Sequence, residues 1–164
     1  MAIVIDNIGQ LRDHIMKCID NAMFDLAKEM TDDLGKTIQS KFYDAFSPSR
    51  YSRTFQLIRA AHKPDITTTP TKVTIKVFID FDSMKHYRYD GTPITQPTKR
   101  SGISFTEEEL ALSAAAGFHG IRRGYVASVT PEKFWYEFAK KWNQYRVEHR
   151  LAALLRKQGL TVRV

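Results

Sequence analysis

Residues 47–58 read Ser-Pro-Ser-Arg-Tyr-Ser-Arg-Thr-Phe-Gln-Leu-Ile, and they separate two parts of the chain with different periodicities. Pro48 has no backbone N–H and disfavours helical dihedral angles at Ser47, so a helix that approaches from the N-terminal side is expected to end here. On the C-terminal side the chain becomes rich in β-branched residues. The stretch therefore predicts a junction between a helical part and a part that contains β-strands.

The part before this junction has the periodicity of a long amphipathic helix from residue 7 to about residue 46. Asn7 is a suitable N-cap, and Gln10 stands three residues later, as in a capping box. Gly35 is a position at which the helix could divide, because glycine costs about 1 kcal/mol relative to alanine in a helix. An undivided helix would be about 60 Å long, so we expect it either to break or to project toward a neighbour. Its apolar face is formed by Ile8, Leu11, Ile15, Cys18, Ala22, Leu26, Met30, Leu34, Ile38, Phe42 and Phe46.

The part after the junction predicts a small antiparallel sheet. Residues 72–81 alternate between apolar and mostly polar side chains, which is the period of a strand with one buried face. Residues 54–62 have weaker strand character, and residues 63–70 are interpreted as a wide connection between the two. Residues 82–105 contain prolines and glycines without apolar periodicity, which predicts a long loop with a functional role.

The C-terminal part predicts two more helices. Thr106 opens a capping box before a short helix that ends near Ala116. Thr130 and Pro131 open a long last helix that ends near Gln158, before Gly159. An aromatic seam of this helix, expected to be an interface, is formed by Trp135, Phe138, Trp142 and Tyr145. We therefore predict a single α+β domain over residues 1–164, with a projecting N-terminal helix and the loop at 82–105.

Composition narrows the classes of protein. The chain is 43% hydrophobic and 26% charged, as in a globular protein. Cys18 is the one cysteine, so an intrachain disulfide framework is impossible. No run of about 18 apolar residues is present, so no membrane span or membrane partner is expected. The net charge of +7 is compatible with a nucleic acid or an acidic protein as partner.

A catalytic centre is difficult to assemble from this sequence. The five histidines show neither a helical i, i+4 pair of histidines nor a His-Glu-x-x-His pattern. Cys18 would be a nucleophile only if a histidine met it, and the sequence gives no sign of one. We expect no enzymatic activity, no cofactor and no metal site, and a small hydrolase or nuclease is the weakest of the classes considered.

Basic residues in the predicted loops give a nucleic-acid-binding alternative. They lie near tyrosines, a mixture that contacts phosphates and stacks on bases. The sequence contains none of the helix-turn-helix, zinc-finger or aromatic-sheet signatures. The residues expected to face DNA or a protein interface are Arg88, Lys99, Arg100, Arg122 and Arg123.

The junction also carries a family resemblance. Its Tyr-x-Arg-Thr-x-x-Leu signature is formed by Tyr51, Arg53, Thr54 and Leu57. This pattern resembles the minor tail-component, tail-completion and head–tail joining proteins of the neck of tailed bacteriophages. The order of predicted elements from about residue 7 to residue 158 is similar to theirs as well. The resemblance implies the same α+β order of elements, no enzyme and no cofactor.

The resemblance also implies a function and a location. The expected protein is a structural virion component, a head–tail connector or tail-completion subunit that is assembled in the host cytoplasm. It would form a homo-oligomeric ring between the capsid portal and the tail. Its partners would be a portal or adaptor layer and a tail tube or tail terminator, with DNA able to pass through the channel. The alternative is a nucleic-acid-binding accessory protein that uses the basic loops.

Overall fold

The computed structural model describes residues 6–45, 55–61, 64–80, 83, 121–122, 125–126 and 133–163, with the backbone alone at 121–122 and 125–126. The elements in chain order are α1 (Ile8–Ile38), a π-helical turn (Gln39–Tyr43), α2 (Gln56–Ala60), β1 (Asp65–Thr69), β2 (Lys72–Lys76), β3 (Ile121–Arg122), β4 (Tyr125–Val126), α3 (Phe134–Lys141) and α4 (Gln144–Lys157). The strands pair antiparallel in two two-stranded sheets, β1 with β2 and β3 with β4. The predicted α+β class is confirmed.

The N-terminus of α1 is capped as the sequence predicts, with one difference in partner. The Gln10 N–H donates to Asn7 Oδ1 at 2.9 Å, so Asn7 is the N-cap. The Gln10 side chain accepts from the Asp6 N–H at 2.8 Å instead of from Asn7. Two N–H groups near the helix start, which have no partner within the helix, are satisfied in this way.

Of the two options that the sequence left open for the long helix, the structure shows the one without a break at Gly35. The helix passes through Gly35 to Ile38, and the following π-helical turn places the Asp44 N–H 2.8 Å from the Gln39 carbonyl oxygen. Leu34 and Ile38 are completely buried on the two sides of the glycine. Burial of such side chains contributes about 1.5–3 kcal/mol each, more than the cost of about 1 kcal/mol for one helical glycine.

A tight hairpin replaces the wide connection predicted over residues 63–70. Most of that segment is β1, which pairs with β2 from Asp65 opposite Lys76 to Thr69 opposite Lys72. Pro70 and Thr71 alone form the turn, and Thr69 Oγ1 donates to the Lys72 carbonyl oxygen at 3.1 Å. The strand predicted over 72–81 is confirmed for 72–76, and beyond its end Ile79 makes one isolated bridge with Ala61.

The predicted strand over residues 54–62 is wrong in kind. Gln56–Ala60 forms the short helix α2, and Ala61 alone makes a β-bridge. The Asp80 N–H donates to the Ala60 carbonyl oxygen at 2.7 Å, which holds the end of α2 to the chain beyond β2. Five residues are too few for a helical period to appear in the sequence. The prediction therefore followed the β-branched residues nearby, which favour a strand.

The last helix is interrupted, although its predicted end is confirmed. It consists of α3 and α4, and Asn143 between them is the N-cap of α4, because its side chain accepts from the Arg146 N–H at 2.9 Å. The chain leaves α4 through Gly159, whose φ of 91° is a conformation that favours glycine. The predicted loop over 82–105, apart from Ser83, and the predicted helix over 106–116 lie outside the described residues.

The chain divides into two compact units by its internal contacts. The first comprises Met1–Thr31, Lys63–Val77 and Lys141–Val164, and the second comprises Asp32–His62 and Phe78–Lys140. The core of the first unit joins Ala22 and Leu26 of α1 to Leu154 of α4, with Ile75 of β2 packed against them. The prediction of one domain stays a prediction.

Candidate functional site

The apolar face of α1 is buried along most of its length but exposed at its N-terminal end. Cys18, Ala22 and Leu26 are almost completely buried in the first unit. Ile8 and Leu11, which begin the same face, are 85% and 43% exposed. Residues seven positions apart, such as Leu11 and Cys18, fall on the same side of a helix. An apolar surface that is covered at one end and open to solvent at the other is suited to contact with another protein.

The contacts of α4 explain where the covered part of α1 begins. The Gln158 carbonyl oxygen lies 3.7 Å from Cys18 Sγ, and Gln158 Oε1 lies 3.4 Å from Asn21 Nδ2. Leu154 packs beside Ala22 and Leu26, and Arg150 reaches Glu29, so the two helices are antiparallel. α4 ends at Lys157. From Cys18 back to Ile8 the helix axis extends by about 15 Å.

An ion pair fixes the register of α1 against α4. Arg150 Nε and Nη2 donate to the two carboxylate oxygens of Glu29 at 2.7 and 2.5 Å. These hydrogen bonds hold the pKa of Glu29 below its usual range, with a smaller opposing effect of burial. The same pair raises the pKa of Arg150. The side chains are 45% and 37% exposed, so the pair sets geometry more than it supplies stability.

Aromatic side chains form a cluster in the described part of the second unit. Phe42 packs edge-to-face on Tyr43, with ring centroids 5.2 Å apart, and on Phe134 at 6.1 Å. Tyr43 also contacts Phe55, with centroids 4.8 Å apart. Phe134 is 1% exposed, whereas Phe55 is 39% exposed. The cluster is therefore a core with one ring at its surface.

Phe55 has an unusual backbone conformation. Its φ of 52° and ψ of 25° lie in the left-handed region, where it is the N-cap of α2 without a side-chain capping bond. Such a conformation costs a non-glycine residue about 1–3 kcal/mol and is commonest at functional sites. Phe55 directly follows Thr54, the third residue of the junction signature. Sequence reasoning missed Phe55, because an aromatic residue carries no signal for a left-handed conformation.

The aromatic seam predicted along the last helix is not one continuous helical surface. Trp135 is 41% exposed and contacts Phe138, which is 6% exposed, with ring centroids 5.7 Å apart. The seam is then broken at Trp142, where α3 has ended. Tyr145 belongs to α4 and is 70% exposed. Tyr136, which follows Trp135 in the sequence, was not part of the predicted seam. It is 63% exposed.

The structure brings one histidine close to the cysteine, a contact that was not predicted from the sequence. Cys18 Sγ lies 3.8 Å from His14 Nε2, one helical turn earlier on α1. The signal was available as a histidine and a cysteine four residues apart. Cys18 is 5% exposed, which leaves little access for a reactant. Among the described residues, no three His, Cys, Asp or Glu side chains are grouped closely enough to hold a metal ion.

Most residues of the junction signature and of the basic loops cannot be placed. Leu57 of α2 is 3% exposed and so has a core position. Arg122 lies on β3, where only the backbone is described. The residues outside the described ranges are Tyr51, Arg53, Thr54, Arg88, Lys99, Arg100 and Arg123. Their predicted roles, and the nucleic-acid-binding alternative that rests on the loops, stay predictions.

Comparison with known proteins finds one family. A family model with the description YomN matches residues 7–158. No curated protein and no solved structure matches the chain. In the part of the chain that the structure describes, no helix is both long enough and apolar enough to cross a membrane.

Proposed function

The chain belongs to the YomN family, whose name is phage-derived, and from this premise we propose that it is a structural subunit of the neck of a tailed phage. In this role it either completes the tail or joins the tail to the head. It does so as one subunit of a homo-oligomeric ring. Its partners are further copies of itself, the portal or adaptor layer on the head side, and the tail tube or terminator on the other side. The protein works by adhesion and catalyses no reaction.

The observation that carries this proposal is the exposed N-terminal end of the α1 apolar face. Ile8 and Leu11 are 85% and 43% exposed in the isolated chain. Association that removes two such side chains from water is favourable, by roughly 25 cal/mol for each Å² of apolar surface buried. A ring subunit needs such surfaces, whereas an isolated globular protein is more stable and more soluble without them.

Exposed aromatic rings of α3 give further support from the second unit. Trp135 and Tyr136 are 41% and 63% exposed. Tryptophan and tyrosine are enriched at the centres of protein interfaces, where a few residues supply most of the binding energy. The predicted seam is thus reduced to a smaller candidate contact, with Phe138 as its buried support.

The proposal is tested by complementation of a phage whose gene for this protein is inactivated. Wild-type protein should restore infectious particles, and the double variant Ile8→Asp, Leu11→Asp should leave heads and tails unjoined. The charges keep the positions exposed but make burial against a partner costly. Phe24→Asp is the matched control, because Phe24 is 50% exposed on the opposite side of α1 and should complement normally.

Two results would contradict the proposal. One is a phage without this protein that still yields joined, infectious particles. The other is full complementation by the double variant, with normal incorporation into particles. Thermal melting of both variants checks that each folds as the wild type does, so that a failure to complement is not a failure to fold.

A further inference from the structure

The solvent-facing side of α4 carries a concentration of positive charge. Arg146, Arg150 and Lys157 are separated by four and seven residues, so they form one row along the helix. All three are exposed, and Ala153, which lies between them on the same side, is exposed as well. Tyr145, His149 and Arg156 form a second exposed row beside the first. The apolar side of α4, with Leu154, packs on α1, and Arg150 lies at its edge, where it reaches Glu29.

Carboxylates neutralise only part of this charge. Glu29 binds Arg150 directly and lies within electrostatic range of Lys157. The only acidic residue of α4, Glu148, accepts from Gln144 at 2.8 Å. Within the described part of the chain, no carboxylate is found at ion-pair distance from Arg146, Arg156 or Lys157.

The two other arginines are oriented by uncharged groups. The Arg146 guanidinium lies over the Trp142 ring, 5.5 Å from its centroid. Arg156 donates from Nε and Nη2 to the Val162 carbonyl oxygen at 3.2 and 2.7 Å. These contacts restrict both side chains but leave their positive charge in place. A cation that is already held in position loses less conformational freedom when it binds an anion.

The Tyr145 and His149 rings add polar donors to the same surface. Their centroids are 4.0 Å apart, so each ring limits the movement of the other. Tyr145 is 70% exposed. Tyrosine hydroxyl and imidazole N–H groups donate hydrogen bonds to phosphate oxygens alongside arginine and lysine.

From these observations we propose that the outward face of α4 binds the phosphate backbone of double-stranded DNA. The centre of a protein–protein interface is usually poor in charged residues, whereas this face carries four cations between Arg146 and Lys157. Arg146 and Lys157 are about 16 Å apart along the helix axis. A duplex of that length carries roughly nine negative charges, so several cations can be matched at once. The inference does not depend on the neck role, since it rests on α4 alone.

The test is binding of the full-length protein to a fluorescent duplex of about 30 base pairs and mixed sequence, over about 50–200 mM salt. Wild-type affinity should fall steeply with salt. The variant Arg146→Gln, Lys157→Gln should bind about tenfold more weakly, with a logarithmic salt slope shallower by about 2. The control variant Lys17→Gln, Lys28→Gln removes the same charge from exposed positions of α1 and should bind almost as the wild type does. Arg150 is left unchanged because it also holds α1.

Four outcomes would overturn the assignment. The first is the absence of salt-sensitive binding by the wild type. The second is an equal loss in the α4 and α1 variants, which would indicate net charge alone. The third is polyglutamate binding as tight as duplex binding, which would favour an acidic protein partner. A variant with Lys99, Arg100, Arg122 and Arg123 changed to glutamine separates the basic loops from α4. Loss of binding in that variant alone would also contradict the proposal.

Discussion

Phe55 shows how one residue of the junction is held within the second unit. Its backbone takes a left-handed conformation, and its ring packs on Tyr43 with centroids 4.8 Å apart while remaining 39% exposed. The aromatic contact offsets part of the conformational cost. The strained backbone and the contact with Tyr43 fix the orientation of this exposed ring. A ring with a fixed orientation loses little conformational freedom when it binds a partner.

Two substitutions at Phe55 separate the ring from the strain. Both Phe55→Gly and Phe55→Ala remove the contact with Tyr43, but only glycine adopts a positive φ without steric cost. We therefore expect the glycine variant to be more stable than the alanine variant by about 1 kcal/mol, measured by urea unfolding. Gly to Ala changes usually stabilise at ordinary backbone positions, so an alanine variant of equal or greater stability would show that the chain is not strained here.

At the scale of elements, sequence patterns were reliable where one periodicity persisted over many residues. The long helix, its Asn7 cap and the stop at Gly159 were predicted correctly. The end of α3 was missed because the aromatic spacing continues across Asn143, although asparagine is a favoured N-cap and could have indicated a new start. β1 was missed because a threonine run between two prolines resembles a loop, yet threonine suits a strand.

Gly35 provides a direct test of the uninterrupted α1. A Cβ atom built at this position has no neighbouring atom within 4 Å, so alanine fits without a clash. Because glycine is the poorer helix former, Gly35→Ala should raise the free energy of unfolding by about 0.5–1 kcal/mol. Equilibrium unfolding in urea measures this. A destabilised variant would contradict an uninterrupted helix and would favour the break at Gly35 that the sequence left open.

The contact between α1 and α4 should depend on pH through Glu29. Its pKa is lowered in the folded state from the ordinary value of 4.5, chiefly by the hydrogen bonds from Arg150. The stabilisation is therefore complete above the unfolded pKa and is lost as the pH falls through the folded one. Arg150 remains charged throughout that range.

A double-mutant cycle with Glu29→Gln and Arg150→Gln measures this dependence. Because the pair is exposed, we expect a coupling free energy of only about 0.5–1 kcal/mol near pH 7, smaller at high salt. The coupling should decline below about pH 4.5 and disappear in stronger acid. Coupling that persists unchanged in acid would contradict the carboxylate's role. Lys28→Gln, an exposed change elsewhere on α1, serves as the control for general charge effects.

For the whole molecule, sequence patterns could not predict which parts of the apolar and aromatic surfaces remain exposed. Periodicity assigned Ile8 and Leu11 to the apolar face of α1, but only the position of Gln158 beside Cys18 shows where α4 leaves that face exposed. The even spacing of the aromatic residues from Trp135 onward suggested one seam. The separate helices α3 and α4 divide it. Burial depends on which distant segments meet, and a single sequence does not encode that in a local pattern.

Locating the protein in purified virions would show whether it is a neck subunit of the phage particle. Particles produced with an epitope-tagged copy of the protein would be labelled with gold-conjugated antibody and imaged by electron microscopy. Peptide mass spectrometry of the same particles would count its copies relative to the capsid protein. Label is expected at the head–tail junction only, with a small, constant number of copies per particle. Infectious particles that lack the protein, or label distributed over the capsid or along the tail, would contradict it.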